Sequence, residues 1–157
     1  MKESQHIKRR SDCPISFGLD VFGDKWTLLI VRDILLYDRK HFRDFAPNER
    51  IASNILTDRL ERLESAGIIE KRQDSKFKNQ FIYSATQKGK DLAPILAEMT
   101  LWGFQYDPKT PASKKYINAI KTKHATLIKR MLKAVADGAF TQHRAREMGI
   151  GKASNLK

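Results

Sequence analysis

Ser53, Asn54, Thr57 and Asp58 place two hydroxyls, an amide and a carboxylate near the start of one helical pattern, on its outward side or its flank. Short polar groups near the N-terminus of a helix lying in a DNA major groove reach base edges, so these four are candidate base readers. Arg59 falls among Ala52, Ile55, Leu56 and Leu63 on the same wheel. Its stem is therefore expected to pack, with the guanidinium either snorkelling to a phosphate or pairing within the protein. Further along, Lys76 and Lys78 flank a polar turn and suit phosphate contacts, and Arg72 or Arg39 would join them.

Other reactive residue types are sparse. The single cysteine, Cys13, admits two readings. Near a helix N-terminus its thiol could serve as a redox switch, and as a small apolar group it could instead be inert. His6, His41, His124 and His143 have no ligand-like spacing with cysteine or carboxylate. The pairs Glu61/Glu64 and Asp20/Asp24 lie on helix surfaces among basic residues. No glycine-rich phosphate loop, Ser-His-Asp arrangement or paired catalytic carboxylate emerges, so neither an enzyme nor a metal or cofactor site is expected. Trp26 and Trp102 sit on apolar helical stripes and are expected in a core or a dimer interface.

The elements that must position the polar groups follow from periodicity and punctuation. Cys13 to Phe22 reads as a short amphipathic helix stopped by Gly23, and Asp24 as the N-cap of a helix over Lys25 to Leu36. A third short helix is predicted over His41 to Ala46, with Pro47 to Arg50 as the turn after it. The strongest helical pattern, Ala52 to Ala66, sets Ala52, Leu56, Leu60 and Leu63 on one side and ends at Gly67. Ile68 to Gln73 and Gln80 to Ala85 read as a hairpin around a basic turn. Thr86 then caps a helix to about Trp102, kinked or delayed by Pro94. The predicted fold class is mainly α with a small β-hairpin wing, a winged helix-turn-helix, followed by a basic C-terminal helical extension.

Charge divides the 157 residues into the same parts. Residues 1–10 carry a net +3, residues 11–106 carry zero, and residues 107–157 carry +9 of the total +12. Two prolines at 108 and 111 mark the second boundary. The expected organisation is a basic arm over residues 1–12, a DNA-binding and dimerisation domain over 13–106, and a basic extension over 107–157. Within the extension, Ile117, Ile120, Leu127, Met131 and Val135 share a face of a basic amphipathic helix over Ser113 to Ala136. Packing of that face on the protein is favoured over an anionic membrane surface, since bulky Trp and Phe are lacking. The N-terminal residues lack the apolar stretch of a signal peptide and no run is long enough to span a bilayer, so a cytoplasmic location is expected.

Residues 13 to about 103 resemble the HxlR-type bacterial transcriptional regulators. The matching stretches are Cys13-Pro14, Gly23 to Thr27 followed by Leu28-Leu29-Ile30, and Arg39 to Phe45. Leu56 to Leu63 running into Ala66-Gly67-Ile68-Ile69, Tyr83 with Thr86 and Gly89, and Trp102-Gly103 complete them. The resemblance implies a homodimer on an inverted repeat of double-stranded DNA, with its first and last helices forming the dimer interface. It also implies that Cys13 matches the cysteine through which some relatives sense oxidants or electrophiles, which makes a small molecule or electrophile the expected class of effector. The chain departs from the family at the wing, where Phe77-Lys78-Asn79 stands in place of frequent prolines, and at Tyr83-Ser84-Ala85-Thr86. The competing reading is a sequence-independent architectural nucleic-acid-binding protein driven by the charge of residues 107–157.

Overall fold

A computed structural model describes residues 10–45, 49–107, 109, 125–126, 129, 132–133 and 135–137. In chain order it contains α1 (Pro14–Phe22), α2 (Thr27–Tyr37), a single 3-10 turn (Phe42–Asp44), α3 (Ser53–Ser65), β1 (Ile69–Gln73), β2 (Phe81–Ala85), α4 (Gln87–Lys90) and α5 (Ala93–Tyr106). The basic arm before residue 10, most of the extension and the tail from 138 lie outside the described residues.

Helix α2 is the central element. Ile30 and Val31 are buried on one side and Leu35 and Leu36 on the next turn, and all four join Leu56, Leu60 and Leu63 of α3 in one core. Each such side chain withdrawn from water contributes about 1.5–3 kcal/mol. Of the expected stripe of Trp26, Leu29, Ile30 and Ile34 only Ile30 is buried, the other three being half-buried. Helix α2 is covered on more than one side, so a simple amphipathic wheel understates its burial.

The most consequential buried residue on α2 is charged. Asp33 is fully buried, with Oδ1 accepting from Arg32 at 2.7 and 2.9 Å and Oδ2 accepting from Arg39 at 2.9 Å. Arg32 also donates to Glu49 at 2.8 Å, and both guanidinium groups lie 5.2 Å from the centre of the Tyr37 ring. Burial opposes the Arg32 charge, but Glu49 and Asp33 outweigh it and hold the guanidinium more firmly protonated than a free arginine. Burial likewise pushes the Glu49 carboxyl up, and Arg32 more than reverses this, leaving it below the usual glutamate range.

Several boundaries differ from the sequence expectation for identifiable reasons. The short helix over His41 to Ala46 is only a 3-10 turn, with Phe45 buried edge-on to Tyr83 at 5.8 Å. Ala52 stands before α3 in an extended conformation and is exposed, so the buried row of α3 is Leu56, Leu60 and Leu63 alone. The single helix predicted after Thr86 is two. Thr86 accepts from the Gly89 N–H at 3.2 Å to start the one-turn α4, and α5 begins afresh with Pro94 in its first turn, where a missing N–H costs no helical bond. Gly89 is required there, because a Cβ would lie 2.2 Å from the carbonyl oxygen of Ile68. Gly67 ends the α3 segment at φ +68°, the left-handed conformation expected of it.

The hairpin pairs antiparallel with Ile69 opposite Ala85 and Gln73 opposite Phe81. The Tyr83 N–H donates to the Lys40 carbonyl at 2.9 Å, which fastens β2 to the segment leaving α2. In the extension, Val135 is buried in the core cluster and Leu132 packs against it, while Ile117, Ile120, Leu127 and Met131 of the expected apolar face lie outside the described residues. Trp102, by contrast, is 68% exposed and is not part of this core.

Replacing Asp33 by alanine would leave the Arg39 guanidinium without its carboxylate and Arg32 with Glu49 alone. Urea denaturation of Asp33→Ala is expected to show a loss of about 3–5 kcal/mol, whereas a loss within experimental scatter would mean that the network is not what holds this corner.

Candidate nucleic-acid interface

Helix α3 presents its N-terminal half to solvent. Ser53, Asn54, Thr57 and Asp58 are all exposed on it, as the sequence pattern requires, and Glu61, Arg62 and Ser65 continue the exposed surface. The Thr57 hydroxyl donates to the Ser53 carbonyl at 2.9 Å, so what it offers outward is an acceptor and a methyl group. On the wing, Arg72, Lys76 and Lys78 are exposed, and the Lys71 ammonium lies 4.3 Å from the centre of the Phe81 ring.

Arg59 pairs within the protein. Its Nη1 donates to the neighbouring Asp58, and its Nε lies 3.1 Å from Asp24 Oδ1 without alignment for a hydrogen bond, so the Asp24 contact is electrostatic. Asp24 in turn accepts from the N–H groups of Trp26 at 2.8 Å and Thr27 at 3.1 Å and from the Thr27 hydroxyl. Helix α2 begins at Thr27 with Trp26 as its N-cap residue, two positions later than expected, so Asp24 is not the N-cap but satisfies these N–H groups from the turn before α2. Burial pushes the Asp24 carboxyl up, but the hydrogen bonds from Thr27 and Trp26, together with Arg59, outweigh it and hold it below the usual aspartate range. One carboxylate therefore both starts α2 and tethers α3.

Arg39 is placed differently from Lys76 and Lys78: its guanidinium is engaged by Asp33 and only 17% of its side chain is exposed. The structure thus gathers Ser53, Asn54, Thr57 and Asp58 on α3 and Arg72, Lys76 and Lys78 on the hairpin, and sets Arg39 and Arg59 in internal ion pairs. Two contributors escaped the sequence reading. Arg50, exposed at φ +52° in the turn leading into α3, adds a cation at the helix approach. His41 ties the 3-10 turn to the hairpin, with Nε2 3.0 Å from Asp74 at the start of the wing turn and Nδ1 3.3 Å from Asp44. The His41 imidazole and the Lys76 N–H hold the Asp74 carboxyl below its ordinary range. The signal for Arg50 was available in the turn before α3, whereas the His41 to Asp74 contact spans too many residues for local patterning to reveal.

A polar helix face beside a basic hairpin is the arrangement of a winged helix-turn-helix, and the family model for the HxlR-like helix-turn-helix matches residues 21–111. The chain belongs to the HxlR-like helix-turn-helix family. Among curated proteins it is 33% identical over 111 residues to the uncharacterized HTH-type transcriptional regulator YybR of Bacillus subtilis, covering 66% of this chain and 83% of YybR. Among solved structures, PA1607 superposes with a TM-score of 0.58 at 33% identity, covering 67% of this chain and 72% of that one. The redox regulator HypR in its oxidized form gives a TM-score of 0.51 at 34% identity, covering 59% of this chain and 96% of HypR. As a member of this family the chain is a DNA-binding transcriptional regulator, not an enzyme. Among the described residues no cluster of His, Cys, Asp or Glu could hold a metal ion, and no helix is long and apolar enough to cross a membrane.

The double role of Asp24 is open to measurement by a thermodynamic cycle. Asp24→Ala and Arg59→Ala should each lower stability, and the double variant should lose less than their sum by about 0.5–1 kcal/mol. Strict additivity in urea denaturation would show that α3 is not held through this pair.

Proposed function

We infer that this regulator acts as a homodimer on an inverted-repeat operator, with α3 of each protomer reading bases in the major groove. The observation that carries this reading is the exposed polar face of Ser53, Asn54, Thr57 and Asp58, set beside a hairpin whose exposed cations are Arg72, Lys76 and Lys78. The first group supplies sequence discrimination and the second supplies phosphate affinity. Arg39 and Arg59 act through position, orienting the hairpin base and α3, and the carboxylate of Asp58 is left between Arg59 and the groove.

The dimer rests on a separate surface. Helix α1 has no buried residue, and it exposes Ile15 and Leu19, while α5 exposes Met99, Trp102 and Tyr106 at helical spacing. An apolar surface of this extent on a charged protein is explained by a second copy of the same chain. Cys13 is exposed immediately before α1, next to that surface. HypR is described as a redox regulator with oxidized and reduced forms, and in this chain the corresponding proposal is that an oxidant or electrophile acts on Cys13 and is felt at the dimer contact.

The charge-driven alternative draws on the +9 of residues 107–157. It requires binding without sequence preference, and deletion of those residues would then abolish it. The domain division proposed here, an arm to residue 12, a body over 13–106 and an extension beyond, makes the opposite demand: selectivity remains with the body.

Binding to genomic fragments against excess random DNA separates these readings. Asn54→Ala should relax discrimination between operator and random duplex, while Lys76→Ala should weaken both alike and flatten the salt slope by about one unit. Equal weakening on both duplexes by Asn54→Ala would remove it from base reading. Trp102→Glu should yield a monomer in sedimentation and reduce operator affinity on the order of a hundredfold, since each half-site must then be bound alone. A dimeric Trp102→Glu protein would place the self-association surface elsewhere.

A further inference from the structure

Two large apolar side chains stand apart from the α1 and α5 surface. Phe81 and Phe77 are both on the hairpin, 46% and 56% exposed, and Phe81 is partly covered by the Lys71 ammonium. Phe77 is at the tip, with exposed Lys76 and Lys78 on either side. An apolar ring between two cations does not suit a hydrophobic protein partner, which would have to desolvate both ammonium groups. It suits a polyanion with an apolar interior within reach, which is the description of stacked bases between phosphates.

The tip is also held in one shape. Asp74 Oδ1 accepts from the N–H of Lys76 at 2.7 Å and of Phe77 at 3.4 Å, and the Gln80 N–H donates to the Phe77 carbonyl at 2.8 Å. The Asp74 N–H donates to the Gln80 carbonyl at 2.9 Å, and the Gln73 side-chain amide donates to the Lys78 carbonyl at 2.6 Å. Through His41 and Asp74 the same turn is tied to the segment before α3. The backbone bearing the ring is therefore ordered before any ligand arrives, which removes part of the entropy loss on binding.

We propose that Phe77 is a wedge that the wing inserts from the minor groove between two base pairs, unstacking that step and bending the operator. This rests on the reading of the chain as an operator-binding regulator and adds a specificity-determining residue to it. Apolar side chains placed between base steps kink DNA in this way. The deformation is easiest at pyrimidine–purine steps, so Phe77 selects sequence at a position where it makes no hydrogen bond.

The test uses the full chain and the operator fragment enriched from genomic DNA. The duplex carries 2-aminopurine at successive positions under the wing, and a donor and acceptor dye at its ends. Wild-type protein should raise 2-aminopurine fluorescence at one step in each half-site and shorten the end-to-end distance. Phe77→Ala, at an exposed position, should keep its fold and its salt slope while losing both signals, binding the operator about tenfold more weakly and discriminating it from random duplex less sharply, through α3 alone. Phe77→Leu should restore most of the bend, because leucine also wedges. Replacing the unstacked step with a stiff A-tract should weaken wild type and leave Phe77→Ala unaffected. A wild-type complex on straight, fully stacked DNA, or a Phe77→Ala complex that retains both signals, overturns the wedge alone. Failure to enrich any operator overturns the proposed operator reading and the wedge together.

Discussion

A carboxylate with no access to water must be compensated where it stands, and Asp33 imposes that demand on the corner of the molecule from which the chain leaves for α3 and the hairpin. Arg32 and Arg39 meet it, Glu49 balances Arg32, and the Tyr37 ring lies against both guanidinium groups. Glu49 belongs to the turn that leads into α3, while Lys40, next to Arg39, holds β2 through its carbonyl. Both α3 and the hairpin are thus referred to the last turn of α2. A hydrophobic corner of equal volume would satisfy burial, but it would not fix the direction in which two chain segments leave, because apolar contacts are not directional.

The same device appears twice more with less burial. Asp24 joins the beginning of α2 to α3, and Asp74 joins the wing turn to His41. Each of these acidic groups is spent on an internal joint. These internal pairs remove Arg32, Arg39 and Arg59 along with Asp24, Asp33 and Asp74, so the body's formal charge of zero persists at its surface, and what the pairing decides is which cations stay available: Arg50, Arg72, Lys76 and Lys78. Counting charge by segment locates the basic extension but not which cations of the body are free of an internal partner.

The sequence discloses the parts of this arrangement that are local. Leu56, Leu60 and Leu63 recur at helical spacing, so the exposed face carrying Asn54 and Asp58 follows directly, and the hairpin appears from its two short strands around a polar turn. Asp33 was invisible because a charged residue in an apolar run reads as an interruption of the run. Its burial depends on Arg39 and on the turn before α3, and no periodicity carries that information. Trp102 lies on a helical stripe, and its side chain faces out because that stripe continues past the edge of this chain's own core. The split between α4 and α5 was half legible: Pro94 signals a discontinuity, but a restart rather than a kink is decided by the close approach of Gly89 to Ile68.

The hydrogen bond from Tyr83 to Lys40 also bears on how densely the protein can be concentrated. A hairpin standing alone offers two open strand edges to any neighbour, and each is a template for runaway β-pairing between molecules. Here the free edge of β2 is occupied at its midpoint by the Lys40 carbonyl, and β1 presents Glu70, Lys71 and Arg72, whose charges would be buried by an added strand. Crowding many copies together therefore leaves strand exchange through this hairpin unfavourable.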